Sequence, residues 1–159
     1  MIDAICQGMI RRVEDPDRRA QIARAILEAL PDWFGNVEAR ENYIEKSRDW
    51  LFLADFDGDV PAGFLCLKPT GKDTVELAVM GVLATHHRQG RGRALVEAAK
   101  ALAREAGFSF MQVKTVKMGV YEDYDRTNRF YRAMGFKEFE VIPDLWDEAN
   151  PCQIYVQAL

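Results

Sequence analysis

The chain has 159 residues, 48% of them hydrophobic, with 21 Lys and Arg against 25 Asp and Glu, a formal net charge of -4. That is the length of one ordinary domain with enough apolar content for a core, and we read it as a single domain over 1–159. An acidic balance argues against nucleic acid as the main partner, since phosphate contacts want a basic face, and no apolar run approaches the ~20 residues of a membrane span.

The start, Met1-Ile2-Asp3, shows no signal peptide, which fits a cytoplasmic protein. Cys6, Cys66 and Cys152 are odd in number and widely spaced, with no C-x-x-C pair. They read as small buried side chains in a reducing compartment, and no metal site is expected.

In chain order, Met9 to Val13 is a candidate first strand. Asp15-Pro16 opens a helix with Ile22, Ile26, Ala29 and Leu30 on one face. Pro31 to Asn36 breaks it, and a second helix runs from Val37 to Lys46. Trp50–Ala54 and Ala62–Leu67 form a hairpin about Asp57-Gly58. The acids Asp55, Asp57 and Asp59 lack the Gly and Glu positions of a calcium loop, so they belong to that turn.

Val75 to Leu83 is the longest apolar strand and is read as central. A helix with Leu95, Ala99, Leu102 and Ala106 on its buried stripe follows, stopped by Gly107. Phe110–Thr115 is a strand and Asp125–Met134 a helix capped by Gly135; Phe136–Ile142 and Gln153–Val156 close the sheet. The class is α+β, a mixed and mostly antiparallel central sheet flanked by about four helices.

Between the central strand and its helix lies Arg88-Gln89-Gly90-Arg91-Gly92-Arg93. Helix N-termini carry unpaired N–H groups and partial positive charge, and glycines let a phosphate approach the backbone. The turn lacks the G-K-[ST] of a Walker A loop and the third Gly of a dinucleotide fingerprint. His86 and His87 just before it are adjacent and point apart, which suits solvated loop histidines better than a general base or a metal pair.

The stretch Val79 to Val96 resembles the acyl-CoA signature of the Gcn5-related N-acetyltransferase (GNAT) superfamily, [QR]-x-x-G-x-[GA], with Gly90 and Gly92 in place and His87 at the first position. Phe130-Tyr131-Arg132-Ala133-Met134-Gly135-Phe136 resembles the family's second hallmark, F-Y-x-x-x-G-F. The Asn and Ala that usually precede that Tyr are here Tyr124 and Thr127. The resemblance extends to the element order over nearly the whole chain and implies the GNAT-like fold.

The resemblance implies acetyl-CoA as cosubstrate and no metal. The amides of Arg88, Gln89, Gly90, Arg91, Gly92 and Arg93 would hold the pyrophosphate, and Met80, Gly81 and Val82 would meet the pantetheine and acyl carbonyl. The reaction that the resemblance implies is N-acetyl transfer to a primary amine by direct attack in a ternary complex. Glu76, the acid inside the central strand, is the candidate base. Tyr131 is the candidate acid for the leaving thiolate, because a phenol stays protonated at neutral pH. Trp33 and Phe34 are candidates for an acceptor wall or for packing of the helical hairpin.

The acceptor is a small-molecule amine slightly ahead of a protein amine, with no nucleic acid or membrane partner, in a monomer or homodimer. The alternatives are a non-catalytic acyl-CoA-binding or sensing module and a phosphate-turn module acting on RNA.

Overall fold

A computed structural model of the chain describes residues 9–159; Cys6 lies outside them. The elements are β1 (Met9–Arg12), α1 (Pro16–Glu28), α2 (Val37–Lys46), β2 (Leu51–Asp57), β3 (Val60–Pro69), β4 (Thr74–Val82), a 3-10 turn (Ala84–His86), α3 (Arg91–Glu105), β5 (Phe110–Val116), α4 (Glu122–Ala133), β6 (Lys137–Asp147) and β7 (Asn150–Ala158). The strands form a seven-stranded sheet hydrogen-bonded in the order β1-β2-β3-β4-β5-β7-β6. The β4–β5 pairing is parallel, while β1–β2, β2–β3, β5–β7 and β6–β7 are antiparallel. This is the mixed, mostly antiparallel α+β arrangement anticipated.

The described residues fall into two compact units, 9–68 with Val79–Ala101, and Pro69–Ala78 with Leu102–Leu159. In the first, Asp15 caps α1 by accepting from the Arg18 N–H at 3.0 Å, and Asn36 caps α2 in the same way from Ala39 at 3.0 Å. Ile22, Ala23, Ile26 and Leu27 of α1 pack with Phe52, Ala54, Phe64, Cys66 and Val79 of the strands. Phe52 and Phe64 stack with centroids 5.2 Å apart. Ala29 is exposed, contrary to the predicted stripe, because α1 ends at Glu28 and Ala29 is its C-cap.

Gly81 is glycine for a packing reason. A Cβ there would stand 3.0 Å from both Ile26 Cγ2 and Leu30 Cδ1. Gly63 serves the other face of the sheet, where a Cβ would meet the Gly81 carbonyl at 3.1 Å and Leu95 Cδ1 and Val82 Cγ2 at 3.2 Å. The N-terminal half of α3 rests there, with Leu95, Val96 and Ala99 fully buried.

In the second unit, β5 pairs with β7 from Phe110↔Ala158 to Val116↔Cys152, and with β4 over Thr74–Leu77. Helix α3 ends at Glu105, so Ala106 is exposed rather than part of the buried stripe, and Gly107 follows with φ +93° as a C-terminal glycine should. Gly135 closes α4 with φ +97°. β6 runs to Asp147, beyond the predicted Ile142, and its tip is tied by the Asn150 amide donating to the Asp147 carboxylate at 2.8 Å. Among the described residues no helix is long and apolar enough to cross a membrane.

Candidate functional site

The glycine-rich turn is built in the first unit from two interrupted ladders. The 3-10 turn closes with the His87 N–H donating to Ala84 O at 3.2 Å. The bond entering α3 is donated by Ala94 to Gly90 O at 3.0 Å. The amides of Arg88 through Arg93 lie between these bonds, where a helix start leaves N–H groups for an external acceptor. Arg88 has φ +61° and Gly90 φ +76°, and a Cβ at Gly90 would meet nothing within 4 Å. Successive amides in such a left-handed turn converge into an anion-binding concavity. Arg88 and Arg93 are exposed beside it.

Side chains pin the turn on both sides. Asp55 on β2 and Arg91, the first residue of α3, form an ion pair at 2.9 Å with side chains only 2% and 4% exposed. Arg91 Nε also donates to Gln89 Oε1 at 3.1 Å. On the other side His86 Nε2 donates to Asp57 Oδ2 at 2.9 Å, and Nδ1 is hydrogen-bonded with the Thr85 hydroxyl at 2.8 Å. That bond holds the exposed Asp57 carboxyl below its usual range. His87 Nε2 donates to Val82 O at 2.6 Å. Both histidines sit at the surface, His87 exposed and His86 half-buried, and their rings also hydrogen-bond to the approach to the turn.

Trp33 stands edge-on to His87 with ring centroids 6.0 Å apart, so it borders the turn, whereas Phe34 packs edge-on to Tyr43 of α2 at 6.2 Å. Met80 and Val82 are half-buried on the face of β4 that carries Leu95, and Gly81 faces α1.

The second unit holds the two candidate proton-transfer residues. Tyr131 is 6% exposed, and its ring packs on Phe136 at 5.7 Å and Tyr155 at 6.3 Å. Behind it Asn128, fully buried, donates to Val116 O at 2.9 Å and Tyr124 O at 2.7 Å and accepts from the Tyr155 hydroxyl at 2.6 Å. These bonds fasten α4 to β5 and β7. Asn128 was missed from sequence because the family pattern draws the eye to positions 124 and 127.

Glu76 is buried and accepts from Lys114 Nζ at 2.6 Å. It pairs in register with Gln112, so it shares the face of Gln112 and Lys114, while Leu77 and Val113 take the other face with Tyr155 and α4. Glu76 and Tyr131 thus lie on opposite faces of the sheet within this unit. Lys114 escaped the sequence reading, although its two-residue spacing from Gln112 would have placed it beside Glu76 once the register was known.

The Acetyltransferase (GNAT) family profile matches residues 18–136, most of the chain. An uncharacterized N-acetyltransferase of Chlorobaculum tepidum is 32% identical over 115 residues, covering 70% of this chain and 66% of that protein, so the chain spans just under two thirds of that relative's length. Among solved structures, a GNAT-family protein of Desulfovibrio desulfuricans superposes with TM-score 0.80 at 20% identity, covering 96% of this chain and 99% of that one. A Salmonella typhimurium protein solved with its cofactor acetyl-CoA superposes with TM-score 0.69 at 17% identity, covering 96% and 94%. At those identities the superpositions speak for the fold. With the family match over both units, the chain belongs to the GNAT acetyltransferase family.

Proposed function

We propose that the protein is an acetyl-CoA-dependent N-acetyltransferase that moves the acetyl group directly to a primary amine in a ternary complex. The observation that carries the reading is the turn from Arg88 to Arg93, whose amides stand outside any ladder at the start of α3. This is a donor set for a pyrophosphate, and the acetyl-CoA in the Salmonella protein of the same fold is a ligand that carries one. Met80, Gly81 and Val82 follow as the backbone against which pantetheine and acyl carbonyl run. Gly81 serves there with its backbone alone, since α1 packs against its α-carbon.

The amine nitrogen attacks the thioester carbonyl carbon, the C–S bond breaks, the nitrogen loses a proton and the sulfur gains one. Tyr131 supplies the proton to the thiolate. Glu76, on the face of the sheet opposite Tyr131 and with Lys114 on Oε1, takes the amine proton through water rather than by direct contact. Trp33, beside His87, is the wall for the acceptor, while Phe34 serves the hairpin packing. A small metabolite amine is favoured over a protein amine.

The first test is calorimetric titration with acetyl-CoA, with NAD and ATP as controls. Saturable binding of acetyl-CoA alone, weakened by Gly92→Glu, supports the assignment; no binding removes it along with the roles of Glu76 and Tyr131. An amine panel monitored by thiol release follows. Glu76→Gln keeps the shape and removes the base, so turnover should fall about 10²–10⁴-fold. Unchanged turnover would leave Glu76 as one half of a strand-locking pair. That pair is the observation favouring a second reading, a non-catalytic acyl-CoA-binding module, which predicts acetyl-CoA binding with no CoA release on any amine.

A further inference from the structure

We infer that Asp55 is a positioning residue for the donor site: paired with Arg91, and seconded by Asp57 on His86, it clamps the glycine-rich turn to β2 so that the Arg88–Arg93 amides are pre-organised for the pyrophosphate. The inference rests on the assignment of that turn to CoA.

Asp55 and Asp57 are alternate residues of one strand. Asp55 reaches Arg91, the residue within the turn that starts α3, and Asp57 reaches His86 just before the turn. The two carboxylates thus hold the turn at its middle and at its approach. The β2–β3 register slips by one residue between Asp55 and Phe56, with Ala62 the extra residue on β3. Bulges occur where a strand must aim a side chain away from a regular ladder. Opposite Asp55 in register stands Gly63, the glycine whose missing Cβ admits Leu95 of α3.

The chemistry of the pair is specific to positioning. A buried guanidinium and carboxylate gain little for overall stability compared with apolar residues of the same volume. Asp55 Oδ1 is buried without a hydrogen-bond donor among the described residues, so the carboxylate has Arg91 as its partner and little else. What the pair does fix is direction: it holds the Arg91 side chain inward, away from the ligand, while the Arg91 backbone remains part of the turn. It also cancels the Arg91 charge locally, leaving exposed Arg88 and Arg93 as the turn's cations. A turn held in its binding shape before the ligand arrives spares the ordering entropy that binding would otherwise lose.

The test compares three variants by calorimetry with acetyl-CoA, after circular dichroism and melting establish which are folded. Asp55→Asn removes the charge and leaves Arg91 unpaired. Arg91→Lys keeps the charge but cannot reach Asp55 and Gln89 with one planar fork. Asp55→Leu with Arg91→Met replaces the pair by apolar residues and should melt at or above the wild-type temperature. We expect Kd for acetyl-CoA to rise tenfold or more in every folded variant, the double variant included. Loss of affinity at undiminished stability is the signature of positioning, since a purely structural pair would leave affinity intact in the stable double variant.

With an acceptor in hand, Asp55→Asn should raise KM for acetyl-CoA at least as much and leave kcat within threefold. Any folded variant binding within twofold of wild type, or a fall in kcat at unchanged KM, overturns the inference. Arg91→Lys is the mildest change and decides the matter if the others do not fold. Failure of the wild type itself to bind acetyl-CoA is a separate result and counts against the CoA assignment.

Discussion

Tyr131 is buried on three sides by aromatic rings, so its Phe variant keeps the packing and loses one oxygen. If the phenol protonates the thiolate, Tyr131→Phe should lower kcat about 10²-fold or more and change the acetyl-CoA Kd little. Single-turnover thiol release and calorimetry on the same preparation check the two halves. Unchanged turnover removes Tyr131 from the mechanism. Cys66 allows a second prediction at this scale. It is fully buried in the core of the first unit, and burial pushes its thiol well above the ordinary value of 9.0. The folded chain therefore keeps a proton that the unfolded chain releases in alkali. The resulting stability is fully present below pH 9 and declines above it, by up to about 1.4 kcal/mol per pH unit for one group. Urea unfolding at pH 8 and pH 10 should show wild type losing more stability than Cys66→Ala over that interval. Equal losses would mean that the thiol does not carry the dependence.

At the scale of elements, α3 sits where it does because β3 has no side chain at Gly63. Gly63→Ala would put a methyl at 3.1–3.2 Å from the Gly81 carbonyl, Leu95 and Val82, of which the carbonyl is backbone and cannot swing aside. We expect a loss of about 1–3 kcal/mol in chemical denaturation, together with weaker acetyl-CoA binding if the amides at the start of α3 hold the ligand as proposed. Stability lost with affinity unchanged would mean that α3 tilts without moving its first turn. Most of the elements were legible in the sequence, since periodicity and punctuation are local: Pro16 and Asp15 open α1, Gly107 and Gly135 close α3 and α4 with positive φ. Ala29 and Ala106 were misplaced because an alanine at the end of a periodic run belongs equally to stripe and cap. The outer half of β6 was not read as strand because Ile142 to Asp147 is largely exposed and has no clean apolar alternation. The donor turn showed itself through its glycines. The side chains that fix it did not: Asp55 and Arg91 are 36 residues apart, and their pairing depends on the strand register and its bulge. Asn128, Lys114 and the partner of His86 were hidden for the same reason, since each meets a group that only the fold brings near.

For the molecule as a whole, the sign of its charge frames the last prediction. CoA is a polyanion, and the chain is acidic, with 25 Asp and Glu against 21 Lys and Arg. On the proposed assignment net charge does not favour long-range attraction, and recognition would rest on short-range donors with the local cations Arg88 and Arg93. Short-range recognition of the folded state alone has a thermodynamic consequence. A ligand that binds the native chain and not the unfolded one stabilises it by RT ln(1 + [L]/Kd), about 2.7 kcal/mol at a hundredfold excess over Kd. For a chain of this length each kcal/mol raises the melting temperature by roughly 2–4 °C. Acetyl-CoA at that excess should raise Tm by about 5–10 °C, and ATP and NAD at equal concentration by much less. ATP makes the control demanding, because it brings phosphates and adenine without pantetheine. If ATP stabilises as well as acetyl-CoA, the turn is a general phosphate site and Met80–Val82 add nothing to recognition. If acetyl-CoA alone raises Tm, turn and strand act on the ligand together. If neither does, the amides of Arg88 to Arg93 are a helix start with solvent as their partner.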